Sequence, residues 1–326
     1  MRILVTGGAG FIGSHLVEEL LKKKYKVIVV DNLITGRLSN LNSSINKIIF
    51  KNIDINNFQN LKKIFRTKID VIIHLAALAD IVPSIENPDK YFNTNVFGTH
   101  NLLLLAKIKK VKKFIYAASS TCYGIPDSFP TNEDSKIDTK YPYALTKNIA
   151  EQMIIHYGKV YKLPFISLRL FNVYGPRVRT SGTYGAVFGV FMAQKLNNKP
   201  LTVVGNGRQK RDFTYVKDVA KAFIKAIETK LDNMILNIGS GDPVSINSIV
   251  KILKHPYIFI PKRPGEPDCT HADIRKAKKF LKWETTINIS QGIKLMQKDI
   301  LFWKLSPIWT KSKIKKATKA WFKFLN

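Results

Sequence analysis

Through the first 170 residues, short apolar runs rich in β-branched side chains alternate with stretches whose apolar positions recur every three or four residues. The runs 2–6 (RILVT), 26–30 (KVIVV), 47–50 (KIIF), 70–74 (DVIIH), 113–118 (KFIYAA) and 164–169 (PFISLR) predict strands. Helices are expected between them, near 11–24, 58–66, 88–109 and 142–160. Strands that are apolar throughout point to a parallel sheet covered on both faces, a doubly wound α/β arrangement.

Beyond residue 171 the pattern loosens, with turns at Gly175-Pro176, Gly205-Asn206-Gly207, Gly239-Ser240-Gly241 and Pro264-Gly265. Helical spacing is expected near 185–197, 216–229, 245–254, 273–282 and 289–303. The division expected is a first domain of residues 1–171, with 212–240 returning to it. Residues 172–211 and 241–326 then make a smaller mixed α/β lobe over the carboxyl edge of the sheet. In the tail, Ile314, Ala317, Trp321 and Leu325 fall at helical spacing. A basic helix of this kind can lie on a membrane surface, but Trp303 and Trp309 just upstream favour docking on its own lobe.

Composition narrows the class. No apolar run reaches the roughly 18 residues of a spanning helix, and residues 1–6 already read as a strand rather than a signal peptide. Cys122 and Cys269 are the only cysteines, far apart, which fits reduced thiols in a cytoplasmic protein. Lys and Arg number 53 against 23 Asp and Glu, a net charge of +30. That charge could attract nucleic acid or an anionic membrane. The lysines are scattered, however, and no basic stripe interleaved with aromatics appears, so compositional drift with some benefit for anionic substrates is the preferred reading.

The strand at 2–6 runs directly into Gly7-Gly8-Ala9-Gly10-Phe11-Ile12-Gly13 and then a helix. Glycines at 7, 10 and 13 permit a tight turn and close backbone approach to a pyrophosphate at the helix N-terminus. The next strand ends in Asp31-Asn32, where a carboxylate can hold an adenosine ribose and repel a 2′-phosphate, so NAD is expected over NADP. The sheet is therefore expected to be Rossmann-type. Asp54-Ile55 and Leu75-Ala76-Ala77 end further strands along the same edge, with small residues for close approach. His74 reads as a satisfied core histidine, and Asn95 as a side chain bracing a loop.

Tyr143 and Lys147 stand four apart in a predicted helix and so share a face. A phenol beside an ammonium is an acid/base pair, the charge pulling the phenol toward neutrality. The strand at 113–118 delivers Ser119-Ser120-Thr121-Cys122 to the same edge, where a hydroxyl could share a substrate proton with Tyr143. Alternation along an extended segment would point Ser119 and Thr121 one way, Ser120 and Cys122 the other, leaving Cys122 for packing.

Together these features resemble the extended short-chain dehydrogenase/reductase superfamily. The segments LRLFNVYGPR (168–177), GNGRQKRDFTYVKDV (205–219) and RPGEPD (263–268) are similar to those of its nucleotide-sugar epimerases and dehydratases, especially the UDP-hexose and UDP-N-acetylhexosamine 4-epimerases. The resemblance implies NAD contacts from the glycine loop, Asp31, Asn32, Asp54, Ile55, Leu75, Ala76, Ala77, Asn95 and Phe171, with Tyr143 and Lys147. It makes Tyr143 the base, Lys147 its partner and Ser119 the group orienting the sugar O4, with Thr121 nearby. It places Asn172, Arg211 and Arg263 on the substrate diphosphate and Glu266 on the nucleoside ribose. Thr270 falls beside the sugar C2 substituent, where a small side chain leaves room for an acetamido group. A homodimer through helices 88–109 and 142–160 is also implied.

The 4,6-dehydratases carry an Asp-Glu pair just after the position of Ser119, and UDP-xylose synthase-like enzymes keep a Glu at the place of Thr121. Here the two positions are Ser120-Thr121, and neither hydroxyl replaces a carboxylic acid. The 3,5-epimerases have a reactive cysteine at Thr121's place, one position before Cys122. The expected reaction is then C4 epimerisation of a UDP-hexose, feeding cell-surface polysaccharide synthesis. Another nucleotide-sugar reductase, a UDP-glucuronate 4-epimerase and, remotely, an RNA-binding module on the same fold are the alternatives.

Overall fold

The computed structural model describes residues 1–180 and 186–325. Seven strands, β1 (Arg2–Thr6), β2 (Lys26–Asp31), β3 (Ile49–Asn52), β4 (Val71–His74), β5 (Lys113–Ser119), β6 (Phe165–Leu170) and β7 (Met234–Ile238), form one sheet. Their order is β7-β6-β5-β4-β1-β2-β3 and every pairing is parallel. This is the Rossmann-type α/β fold.

Alternation along the strands builds a core on each face. Ile3, Val5, Val29, Ile73 and Ile115 pack with Leu16 and Leu20 of α1 (Phe11–Lys22). Leu4, Ile28, Ile72 and Phe114 pack on the other side with Leu102 of α2 (Gly98–Ile108) and Ile154 of α3 (Pro142–Tyr161). Phe223 of α4 (Val216–Glu228) completes the first face, and β7 follows it beside β6. The chain thus leaves the sheet after β6 and comes back to it.

The second lobe is built round a short parallel pair, Leu201–Val204 and Tyr257–Ile260, and an aromatic cluster of Tyr174, Phe188, Phe213, Tyr215 and Trp303. The tail helices Lys311–Ala317 and α5 (Lys319–Phe324) lie on the protein itself. Trp303 and Trp309 donate indole N–H bonds to the Val178 and Thr180 carbonyls at 3.0 and 3.1 Å.

Several boundaries differ from expectation. β3 starts two residues late because Ile45–Lys47 form a 3₁₀ turn. The stretch expected as one helix at 88–109 contains a wide π turn at Phe92–Phe97, which carries Asn95. The expected helix at 273–282 is shorter, residues 275–276 leading into a π turn at Ala277–Leu281, and 289–303 divides into Ile289–Lys298 and a 3₁₀ turn at Ile300–Trp303. The helix expected from 185 runs from Val187 to Leu196, and residue 185 lies outside the described residues. The helix Ile81–Glu86 was not foreseen. Among the described residues, no helix is long and apolar enough to cross a membrane.

Behind the carboxyl edge sits a buried ion pair, Arg169 with Glu151, at 2.7 Å and 3% and 1% exposure. The Ser167 hydroxyl donates to Glu151 at 2.6 Å. Arg169 donates to the Tyr123 hydroxyl at 2.9 Å and the Glu133 carbonyl at 3.0 Å. Removing one member leaves a buried, uncompensated charge. Arg169→Met should therefore cost about 3–5 kcal/mol in urea unfolding, with Glu151→Leu added to it recovering part of the loss. A single-variant midpoint equal to the parent's would contradict this.

Candidate active site

A cavity of about 580 Å³ follows the carboxyl edge from the glycine loop to the tail. Gly7 has φ +73°, and a Cβ there would lie 2.7 Å from the Ala76 nitrogen. At Gly13 a Cβ would lie 2.2 Å from the Gly7 carbonyl oxygen. Gly7 is required by the close approach of the chain after β4, and Gly13 by the packing of α1 against the glycine loop. Gly10 is different: a Cβ would meet only the Gly7 oxygen, at 3.1 Å, and the residue lines the cavity. No side chain caps α1. The amides of Phe11, Ile12 and Gly13 occupy its first turn, where a helix offers no internal acceptor, and all three residues line the cavity. That donor set fits a pyrophosphate.

Asp31, 7% exposed, accepts the Ala9 and Leu33 amides at 2.9 and 2.8 Å. Burial raises its carboxyl above the usual range, against the pull of those two bonds. Asn32 and Ile55 also line the cavity, as do Leu75, Ala76 and Ala77. Three other expected positions stand behind the wall. Asp54 accepts the Asn32 amide at 3.0 Å. Asn95, 1% exposed, bonds both backbone groups of Leu78 at 2.8 and 3.0 Å and so braces the loop after β4. Phe171, 2% exposed, packs on Cys122 and Tyr123. His74 is satisfied by Thr6 and Thr99 at 2.7 and 2.8 Å, a core residue.

At the centre, β5 ends in Ser119, whose hydroxyl is 2.9 Å from that of Thr121 and which shares the cavity wall with Tyr143. The chain then curls into a 3₁₀ turn, Ser120–Tyr123, instead of staying extended. Strict alternation therefore fails: Ser120 joins Ser119 and Thr121 on the cavity wall. Cys122 is buried, its thiol pushed up to about 12 by burial, and has no nucleophilic character near neutral pH.

Helix α3 begins with Pro142 at its first position, after an extended Tyr141. Tyr143 and Lys147 then project one turn apart from the same face into the cavity. Lys147 is 5% exposed, its ammonium 4.1 Å from the Tyr116 ring centroid. Burial lowers it to about 7, partly opposed by the Glu151 charge. Burial also holds the Tyr143 phenol above its ordinary value, while the Ser119 hydroxyl pulls it down. The chain alone does not give the depressed phenol expected from the spacing, because desolvation acts first on both groups.

At the far end, Arg211 and Glu266 pair at 3.0 Å, so Glu266 meets a guanidinium before any ribose. Thr270 donates to Asn172 Oδ1 at 2.8 Å and accepts the Asp212 amide at 3.0 Å, which leaves its hydroxyl engaged. Asn172, Arg211, Arg263, Glu266 and Thr270 all line the cavity. So do Tyr141, Trp321 and the ion pair of Asp80 with Arg179, none of which the sequence marked for the site. Arg179 closes the segment GPRVR, a signal that could have found it. Among the described residues, no group of His, Cys, Asp and Glu could hold a metal ion.

The model of the NAD dependent epimerase/dehydratase family matches residues 3–239. The chain belongs to that family. A UDP-glucuronate 4-epimerase of Thermodesulfobacterium geofontis is 42% identical, covering 89% of this chain and 93% of that one. An Arabidopsis thaliana UDP-glucuronic acid decarboxylase is 35% identical, covering 92% and 68%. The solved UDP-glucose 4-epimerase of Thermotoga maritima with UDP-glucose superposes at a TM-score of 0.87, with 34% identity over 94% of this chain and 99% of that one. The cofactor of this epimerase/dehydratase family member is NAD, in agreement with the free amides at the start of α1.

Because a Cβ at Gly10 would press only on the Gly7 oxygen, at 3.1 Å, in a residue that lines the cavity, Gly10→Ala should fold like the parent yet bind NAD at least about tenfold more weakly. Calorimetric titration with NAD beside a thermal melt separates the two effects. Unchanged NAD affinity would contradict the placement of the pyrophosphate.

Proposed function

We propose that the protein epimerises a UDP-hexose at C4 through a transient 4-keto sugar. The observation that carries this reading is the hydroxyl set at the catalytic edge. Tyr143, Ser119 and the buried Lys147 line one stretch of the cavity wall, and no carboxylate stands at positions 120 or 121. A phenol can exchange the O4 proton, but expelling water or directing loss of CO₂ calls for an acid that Ser120 and Thr121 do not supply.

NAD, when bound, supplies hydride acceptance and return at C4. The chain's own part begins with Ser119, which orients O4. Tyr143 takes the O4 proton, and the Lys147 ammonium stabilises the resulting phenolate. Arg211 and Arg263 hold the diphosphate while the sugar turns about its linkage and presents its other face. Tyr143 then returns the proton, and C4 is inverted with no net redox change. Because the Thr270 hydroxyl already serves Asn172 and Asp212, its contribution toward a 2-acetamido sugar is its small size.

A UDP-glucuronate substrate is the second reading. It is favoured by the 42% identical glucuronate epimerase and by Arg179, a guanidinium on the same wall that would have to exchange its Asp80 partner for the substrate carboxylate. The dimer is proposed through α2 and α3, where Phe97 just before α2, Ile108, Leu145, Val160 and Tyr161 are exposed. The proposed location is the cytoplasm.

UDP-glucose, UDP-N-acetylglucosamine and UDP-glucuronate offered separately, with C4 configuration followed by NMR, test the reading. Interconversion of at least one pair is expected, and no C4 epimer from any of them would overturn it. Tyr143→Phe should retain NAD and lose roughly 10²-fold or more in turnover. Near-parent turnover would remove Tyr143 from the mechanism.

The ammonium of Lys147 discharges as pH rises through about 7. The parent kcat/KM should therefore show an inflection there. Lys147→Met should lack it and gain activity only in alkali, where the phenol ionises unaided. Parallel pH profiles would contradict the pairing.

A further inference from the structure

We infer that Trp321, in the C-terminal helix, is a positioning residue that sets the substrate end of the cavity. This rests on the proposed function, since the loop it holds carries Arg263 and Glu266. The indole lies 3% exposed within α5, at a point where three parts of the molecule meet. Its N–H donates to the Pro264 carbonyl at 2.7 Å. Its ring faces the Arg263 guanidinium, 5.1 Å from the centroid. It also lies 6.3 Å from the Tyr141 ring and packs on Val82 of the helix Ile81–Glu86.

The contacts reach three different sides of the cavity. Val82 belongs to the first lobe, Arg263 and Pro264 to the second, and Tyr141 lies two residues before the phenol, its ring nearly parallel to that of Tyr143 at 6.4 Å. The loop between them is bent by Gly265, at φ +68°, and has little regular structure to hold it. Arg263 is followed three residues later by Glu266, which pairs with Arg211. One indole therefore ties both guanidiniums to the frame that carries Tyr143. A cation on the face of tryptophan is attracted by the ring quadrupole, and the N–H bond fixes the rotation of that face.

The consequence is a split between binding and chemistry. Without the indole face, the diphosphate clamp loses its register to the catalytic edge, whereas the NAD end, built from the glycine loop and Asp31, is untouched. Trp321→Ala should raise KM for the UDP-sugar by roughly tenfold or more, with kcat within about threefold of the parent and NAD content unchanged. Trp321→Leu, which still fills the space against Val82, should do the same and serves if the alanine variant fails to fold. Trp321→Phe keeps the ring face but loses the N–H bond to Pro264, so its KM should fall between that of the parent and that of Trp321→Leu.

Calorimetric titration with UDP alone reads the clamp without turnover. Parent protein that binds UDP, alongside weaker binding by Trp321→Leu and partial recovery in Trp321→Phe, supports the inference. Equal UDP affinity and KM in all variants would overturn it and leave the proposed function standing. A uniform loss of kcat, NAD content and thermal stability would also overturn it, because that is the signature of a merely structural residue. Parent protein that binds no UDP would sink the proposed function and this inference together.

Discussion

A lysine ammonium held almost dry beneath a phenol is the constraint on which the rest of the site depends. Lys147 is 5% exposed, faces an aromatic ring and has its nearest countercharge, Glu151, committed to Arg169. Water would stabilise the cation and screen its field, so the site must exclude it and still keep the cation within reach of Tyr143. Placing both on one face of α3 meets the second need. Packing α3 against β5 and the braced loop after β4 meets the first. The result is a lysine poised near pH 7, the range in which a small change of surroundings alters its charge.

The supporting shell follows from that requirement. Glu151 lies four residues beyond Lys147, and the Arg169 ion pair keeps that carboxylate from taking the lysine as its own partner. Arg169 also holds Tyr123, whose hydroxyl bonds Asn237 in β7 at 2.8 Å. The strand that returns to the sheet late in the chain is thereby tied to the turn that carries Ser120 and Thr121. Asp212 plays a matching role farther along the chain, accepting the Gly241 and Ala272 amides at 3.0 and 2.9 Å.

Six of the seven strands were legible because burial on both faces writes an apolar run; the edge strand β3, with three of its four residues exposed, slipped by two positions, and β7 was expected only as part of a returning segment. The glycine loop and the Tyr143–Lys147 spacing were legible because each is local: steric demand in one case, helix period in the other. Asp54, Asn95 and Phe171 sit on the right elements but turn into the wall, and which way a side chain turns at the end of an element is decided by tertiary packing. The Asp80–Arg179 pair spans 99 residues and the Trp321–Pro264 bond spans 57, separations at which no periodicity carries information. Tail docking was readable from its tryptophans, but not its approach to the catalytic edge.

The central claim is that one hydride leaves C4 and comes back to the same carbon, with only a proton passing through Tyr143. The most direct measurement uses a UDP-hexose carrying deuterium at C4, epimerised in ordinary water and read by NMR and mass spectrometry. The account predicts that the product keeps its deuterium at C4 at every stage of the approach to equilibrium. Loss of the label to solvent would contradict it, since that requires C4 to exchange as a proton.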